Sequence, residues 1–119
     1  MAKYVTVKEQ QWETTALGGL EVKECPLWEG GHDVYAGYFR LPKGLQFPKH
    51  YHKRWVSIYV MSGALRVKVA DAEAMTMTAG DYYFVEPGDP HIEAALEDTV
   101  ALVVTAENRE DVRYGLLAP

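Results

Sequence analysis

The amino-acid sequence predicts an all-β fold, a sandwich or a barrel, and three observations carry that expectation. Short runs rich in β-branched and aromatic residues recur along the chain. Glycine, proline, asparagine-like and serine turn residues separate them at the intervals expected of consecutive strands. No stretch keeps helical periodicity for more than a few turns.

The elements follow in order. KYVTV (3–7) has strand propensity but no obvious partner within the chain. LEVKECPLW (20–28) is a weaker run, ended by Gly30 and Gly31. VYAGYFRL (34–41) alternates cleanly and stops at Pro42-Lys43-Gly44. VSIYVM (56–61) is the next run, and its alternation, tested over 50–60, extends back to a start with two histidines. His50, His52, Val56, Ile58 and Val60 share one parity, and Ser57, Tyr59 and Met61 the other. That parity holds provided no bulge intervenes near Lys53–Trp55. A tight Ser62-Gly63 turn leads into ALRVKV (64–69). VADAEAM reads as a hairpin whose Asp71 and Glu73 solvate the turn. Ala79-Gly80-Asp81 opens YYFVE (82–86), Pro87-Gly88-Asp89-Pro90 opens HIEAAL (91–96), and VALVVTA (100–106) closes the series. ENREDVRYGLLAP (107–119) reads as a short helix or a docked tail. No linker, repeat or low-complexity segment interrupts the chain. Residues 1–119 therefore form one domain, with a barrel core over about 20–106, an N-terminal strand arm over 1–12 and a C-terminal tail over 107–119.

Composition narrows the function. The 119 residues suffice for a real hydrophobic core without staples. Twelve basic against seventeen acidic residues give a formal charge of -5, which is not the basic footprint of a nucleic-acid binder. No polybasic run addresses a membrane surface, and no stretch approaches the ~18 apolar residues of a membrane span. The N-terminal MAKYVTVKEQQ lacks the apolar core of a signal peptide. Cys25 is the only cysteine, so an intrachain disulfide and a Cys-rich zinc site are both ruled out. The expected location is the cytoplasm.

Four histidines remain to be explained: His32, His50, His52 and His91. Histidines at i and i+2 of a strand project from the same face, roughly 7 Å apart. That spacing lets two imidazoles converge on one metal ion, and imidazole suits iron, nickel, copper and zinc. Alone, His-x-His equally describes a polar strand edge. Here a third histidine, His91, follows the Pro87-Gly88 turn and can reach the same interior. His32 lies in the Gly-rich GGHDVY turn and reads as a solvent-exposed loop residue.

Taken together, Gly44, His50, His52 and Gly63, then Gly80, Pro87, Gly88 and His91, resemble the two spaced motifs of the cupin superfamily. Pro87 falls one place later than the strict pattern. The resemblance spans residues 44–95 and extends through flanking strands to roughly 20–106. It implies a double-stranded β-helix, or jelly-roll, barrel with His50, His52 and His91 as ligands of one divalent metal ion. Iron is the first expectation, with zinc, nickel or manganese as alternatives. The sequence departs from the pattern twice. The family's glutamate ligand aligns with Val56, or with Ser57 at the longer spacing, and the asparagine of the second motif aligns with Ala95. The implied site is a three-histidine one.

Glu93 shares the parity of His91, which makes it a fourth ligand, a general base, or a carboxylate solvated at the barrel mouth. Tyr38 and Arg40 share a parity on the strand before the histidines, where Arg40 either holds a substrate carboxylate or faces solvent. Trp55 is a pocket wall, a core residue or part of a dimer interface. Tyr59 and Met61 face away from the histidines, and small cupins commonly pair through a sheet, so a homodimer with swapped N-terminal strands is expected. The stretch resembles small cupins such as the anti-sigma-factor type and dihydroxyacetophenone-type dioxygenases. The leading expectation is thus a metal-dependent dioxygenase, an oxidoreductase acting on a small organic substrate. The alternatives are a Lewis-acid isomerase or lyase, since ALEDTVALVVTAENRED loosely resembles sugar-acid cupins, and a binding or sensing module without turnover. An inward Arg40 favours the sugar-acid reading and an outward one disfavours it.

Overall fold

A computed structural model describes residues 2–106 and 116–117. No α-helix occurs among them, and among these described residues no helix is long and apolar enough to cross a membrane. The strands are β1 (Glu13–Leu17), β2 (Leu20–Gly31), β3 (Val34–Leu41), β4 (Gln46–Tyr51), β5 (Val56–Ser62), β6 (Ala64–Val69), β7 (Met75–Thr78), β8 (Tyr82–Val85), β9 (His91–Ala95), β10 (Thr99–Ala106) and β11 (Leu116–Leu117). They form two antiparallel sheets: six strands in the order β1-β2-β3-β10-β5-β8, and five in the order β11-β4-β9-β6-β7. The chain crosses repeatedly from one sheet to the other, which is the jelly-roll solution to closing two sheets over one core.

The core lies between the sheets. Val22, Phe39, Val60, Leu65, Val85 and Ala101 are among its buried members. Strand β3 shows how alternation builds it. Tyr35, Gly37, Phe39 and Leu41 are buried, while Val34, Ala36 and Tyr38 are half-buried and Arg40 is exposed.

Two sequence expectations need correction here. Within the single chain, residues 3–6 have no ladder partner, in line with the absence of an obvious one in the sequence, and a single 3₁₀ turn, Val7–Glu9, follows them with Tyr4 and Val7 exposed. The barrel begins earlier than residue 20, because ETTAL forms β1 against β2. Residues 50–60 are not one strand. β4 ends at Tyr51, the chain turns through residues 53–55, and β5 starts at Val56 in the other sheet. Of the tail, residues 107–115 and 118–119 lie outside the described residues, while Leu116 and Leu117 pair with Tyr51 and His50 of β4.

Candidate metal centre

β4 and β9 place the histidines. They pair antiparallel, with Phe47 opposite Glu93 and His50 opposite His91, so three steps on β4 match two on β9. This bulge lets Phe47 and His50 both face the interior although their spacing is odd. His52 follows the end of β4, and its carbonyl accepts a hydrogen bond from the Gly88 amide. That bond ties the turn after His52 to the Pro87-Gly88 turn before His91. The two turns therefore bring separate motifs to one place.

The three imidazoles form a compact set. Ring centroids are 4.0 Å apart for His50 and His91, and 5.1 Å for each pair involving His52. One ligand nitrogen from each ring lies within 4.8 Å of the other two. His52 and His91 are buried. Nδ1 of His50 donates to the Pro48 carbonyl at 2.8 Å, and Nδ1 of His91 to the Asp89 carbonyl at 3.1 Å. A carbonyl only accepts, so in the neutral ring these bonds assign the proton to Nδ1 and the lone pair to Nε2. Fixing a ligand histidine through its far nitrogen is how outer-sphere contacts orient metal sites. Burial lowers the pKa of His50 below its usual value, against the opposing pull of the Glu93 charge and assisted by His91. A neutral imidazole with an oriented lone pair is what a first-row metal ion needs. The donor set fits a divalent ion.

Glu93 joins the set rather than standing solvated at the mouth. Its Oε1 lies 3.6 Å from Nε2 of both His50 and His91. Its Oε2 accepts a hydrogen bond from the Tyr83 hydroxyl. Burial first, then the charge and hydrogen bond of Glu93, raises the Tyr83 pKa well above the usual phenol value, so Tyr83 is the donor. Val56, at the family's carboxylate position, lines the cavity with its side chain, whereas Ser57 turns away and donates to the Val104 carbonyl. Ala95, in the asparagine position, is buried core.

The cavity in front of these groups opens to solvent, and its lining is mostly apolar. Phe39, Leu41, Phe47, Ile58, Leu65 and Val103 supply most of its wall. Leu17 and Gly18, from the β1–β2 turn, close one side against Phe47. No lysine or arginine is among the described lining residues.

Three residues expected at the pocket are elsewhere. Arg40 points outward and lies 4.0 Å over the Trp12 ring. Tyr38 stacks on the other partner of that contact, with centroids 6.3 Å from Trp12. The face of β3 that enters the cavity carries Phe39 and Leu41 instead. Trp55 stacks on Phe84 at 5.9 Å, and neither lines the cavity. His32 is exposed, as expected, and stacks on Trp28. Tyr83 was not anticipated. Its signal was its parity with Val85 in YYFVE, which makes Tyr83 the inward member of the tyrosine pair.

Comparisons with known proteins agree with this geometry. A family model described as cupin domain, Cupin_2, matches residues 37–106. No curated protein matches. Among solved structures, an RmlC-like cupin from Shewanella frigidimarina NCIMB 400 is 24% identical, with TM-score 0.76 over 93% of this chain and 96% of that one. The polyketide cyclase RemF from Streptomyces resistomycificus is 23% identical, with TM-score 0.78 over 99% and 88%. KdgF from Halomonas sp. is 22% identical, with TM-score 0.75 over 92% and 98%. At these identities the likeness establishes the fold alone.

Proposed function

The chain belongs to the cupin domain family, and from that premise we propose that it is a metal-dependent enzyme, a non-haem dioxygenase, acting on a small uncharged organic molecule. One observation carries the reading. A carboxylate, Glu93, stands beside two of three convergent histidines at the end of an otherwise apolar cavity. An ion held by His50, His52 and His91 would supply Lewis acidity to a substrate oxygen and, as iron, the redox capacity that dioxygen chemistry needs. The chain supplies the rest. The apolar walls exclude water and select an uncharged substrate by area. Glu93 is within reach of a substrate at the histidines and takes a proton from an acidic C–H or O–H there.

The outward Arg40 counts against a sugar acid. Such a carboxylate would find no lysine or arginine in the described lining to orient it, and would have only the ion itself as a cation. A second reading, proton transfer on a metal-bound substrate without dioxygen, is favoured by the Glu93–Tyr83 pair, which handles a proton and needs no electron.

A homodimer belongs to the same proposal. Tyr59, Met61, Tyr82 and Phe84 are exposed at 41%, 42%, 57% and 43%. Register places Tyr59 beside Tyr82 on the outer face of β5 and β8. A contiguous apolar strip of this kind commonly meets a partner surface. Sedimentation velocity at micromolar concentration should give a dimer for the wild type and a monomer for Tyr82→Glu/Phe84→Glu. A wild-type monomer at those concentrations removes this part.

The decisive experiment is elemental mass spectrometry of protein purified without chelator, for wild type and His52→Ala, followed by oxygen-consumption assays with small ketones and phenols. The expected result is near-stoichiometric iron that His52→Ala loses, with substrate-dependent oxygen uptake. Zinc, nickel or manganese without oxygen uptake would replace the dioxygenase with the second reading. No metal in either protein would remove both.

A further inference from the structure

Most residues that line the cavity are buried or half-buried. Among the described lining residues two are exposed, Gly18 and Pro48. The cavity therefore meets solvent between the β1–β2 turn, which belongs to the six-stranded sheet, and β4, which belongs to the five-stranded sheet. Leu17 and His50 stand half-buried beside this rim. Phe47 is buried just inside it. Phe47 is opposite Glu93 in the β4–β9 ladder, and the next printed pair is His50 with His91.

The turn is tight. Leu17 pairs with Leu20, so Gly18 and Gly19 are its two central residues, with φ at +57° and +78°. Positive φ at both positions is what a type I′ turn requires, and Asn-Gly is among the favoured pairs for it. The backbone of the turn therefore accepts asparagine at position 18. The surroundings are less tolerant. A Cβ there would stand 3.3 Å from Phe47 Cδ1 and 3.7 Å from Cε1. The first distance is shorter than the optimum of about 3.5–4.0 Å between two carbons. A Cβ at Gly19 would meet nothing within 4 Å, and Gly19 is not among the lining residues. The two glycines thus share a backbone conformation and differ in what a side chain would touch.

We propose that Gly18 is a specificity-determining position, whose missing side chain leaves room beside Phe47 at the rim for the apolar end of a substrate. The inference rests on the reading that the cavity takes a small uncharged molecule with its polar end at Glu93. A hydroxyl held by Glu93 puts the body of the molecule against Phe47, the neighbour of Glu93 across the ladder. A longer body continues past the ring to the rim at Gly18. A side chain at position 18 either occupies that rim or presses the Phe47 ring inward, and both shorten the space. Position 18 therefore sets the length of molecule that the cavity accepts.

Phenol and 4-butylphenol are the probes, titrated by isothermal calorimetry into the protein as purified. Binding is read directly, so turnover is not required. Wild type should bind 4-butylphenol more tightly than phenol, because the butyl chain buries apolar area. Gly18→Asn should bind phenol close to wild type and lose 4-butylphenol affinity by about tenfold or more, the scale on which an apolar pocket rejects carbons that do not fit. Gly19→Asn places the same side chain in the same turn and should leave both affinities close to wild type. If Gly18→Asn does not fold by circular dichroism, Gly18→Ala, which adds the one carbon, decides by the same comparison. An unchanged preference for 4-butylphenol in the Gly18 variant overturns the inference. An equal loss in the Gly18 and Gly19 variants also overturns it, because the conformation of the turn is then responsible and not the space beside Phe47. Failure of wild type to bind either phenol overturns the reading of the cavity itself.

Discussion

At position 63 a methyl group would stand 2.3 Å from the Asp98 carbonyl oxygen and 2.7 Å from Thr99 Cα, with φ at +86°. The left-handed φ alone costs a non-glycine residue about 1–3 kcal/mol. The backbone it would strike belongs to the turn into β10, which cannot move without disturbing the ladders of β10 with β3 and β5. Gly63→Ala is therefore expected to lower stability by about 2 kcal/mol or more, read from urea unfolding at fixed slope. A loss below about 0.5 kcal/mol would mean that the Ser62-Gly63 turn re-forms around the side chain. Gly44 and Gly80, also at positive φ, have nothing within 4 Å and carry only the conformational cost. The turn at Gly63 is legible in the sequence, since Ser-Gly between two β-branched runs has few other readings. Its steric reason is not, because Asp98 and Thr99 are far away along the chain. The same limit explains Tyr38 and Arg40. In VYAGYFRL both parities carry apolar residues, and alternation alone does not say which set faces inward. Glu93 is legible, because its parity is anchored to His91.

At the scale of elements, the strands rich in β-branched residues are read well. Val34–Leu41 and Ala64–Val69 have the bounds that their composition implies. The misreadings share a cause. β7, Met75–Thr78, and β1, Glu13–Leu17, carry largely exposed side chains and owe their conformation to the ladder beside them. Such edge strands have weak signatures because pairing, not burial, forms them. KYVTV has the stronger propensity and lacks the partner, so it stays outside both sheets. The central error concerns 50–60. Five residues of one parity look like one face of one strand. In the fold, a turn at 53–55 separates them into two sheets. The histidines and Val56 and Ile58 still meet in one cavity, because the two sheets face each other there. The three histidines come together although they do not share one strand with Val56 and Ile58, since a shared interior requires facing, and facing survives the change of sheet.

For the whole molecule, the distribution of the site predicts how metal affects stability. His50 and His91 belong to the five-stranded sheet, and His52 begins the passage from that sheet to β5 in the other. An ion held by all three joins two strands and the crossing between the sheets. The unfolded chain has no such convergence, so the ion binds the folded state in preference. Binding at about a hundred times the dissociation constant adds about 2.7 kcal/mol. For a domain of this length that is a rise in Tm on the order of 10 °C. Differential scanning fluorimetry of chelator-treated protein with and without added divalent ion should show it, and His52→Ala should abolish most of it. The pH dependence has a definite sign. Burial lowers the folded pKa of His50 from the ordinary 6.5, so the unfolded chain binds more protons in the window below that value. Stability of the metal-free protein therefore falls as pH drops from about 6.5 through the lowered folded value. Metal affinity falls in the same direction, because protons compete for Nε2. Acidification should thus lower the Tm of the metal-free protein and narrow the gap between it and the loaded protein. A gap that stays constant or widens from pH 7.5 to 5.5 would show that the stabilising ion is not held by the three imidazoles.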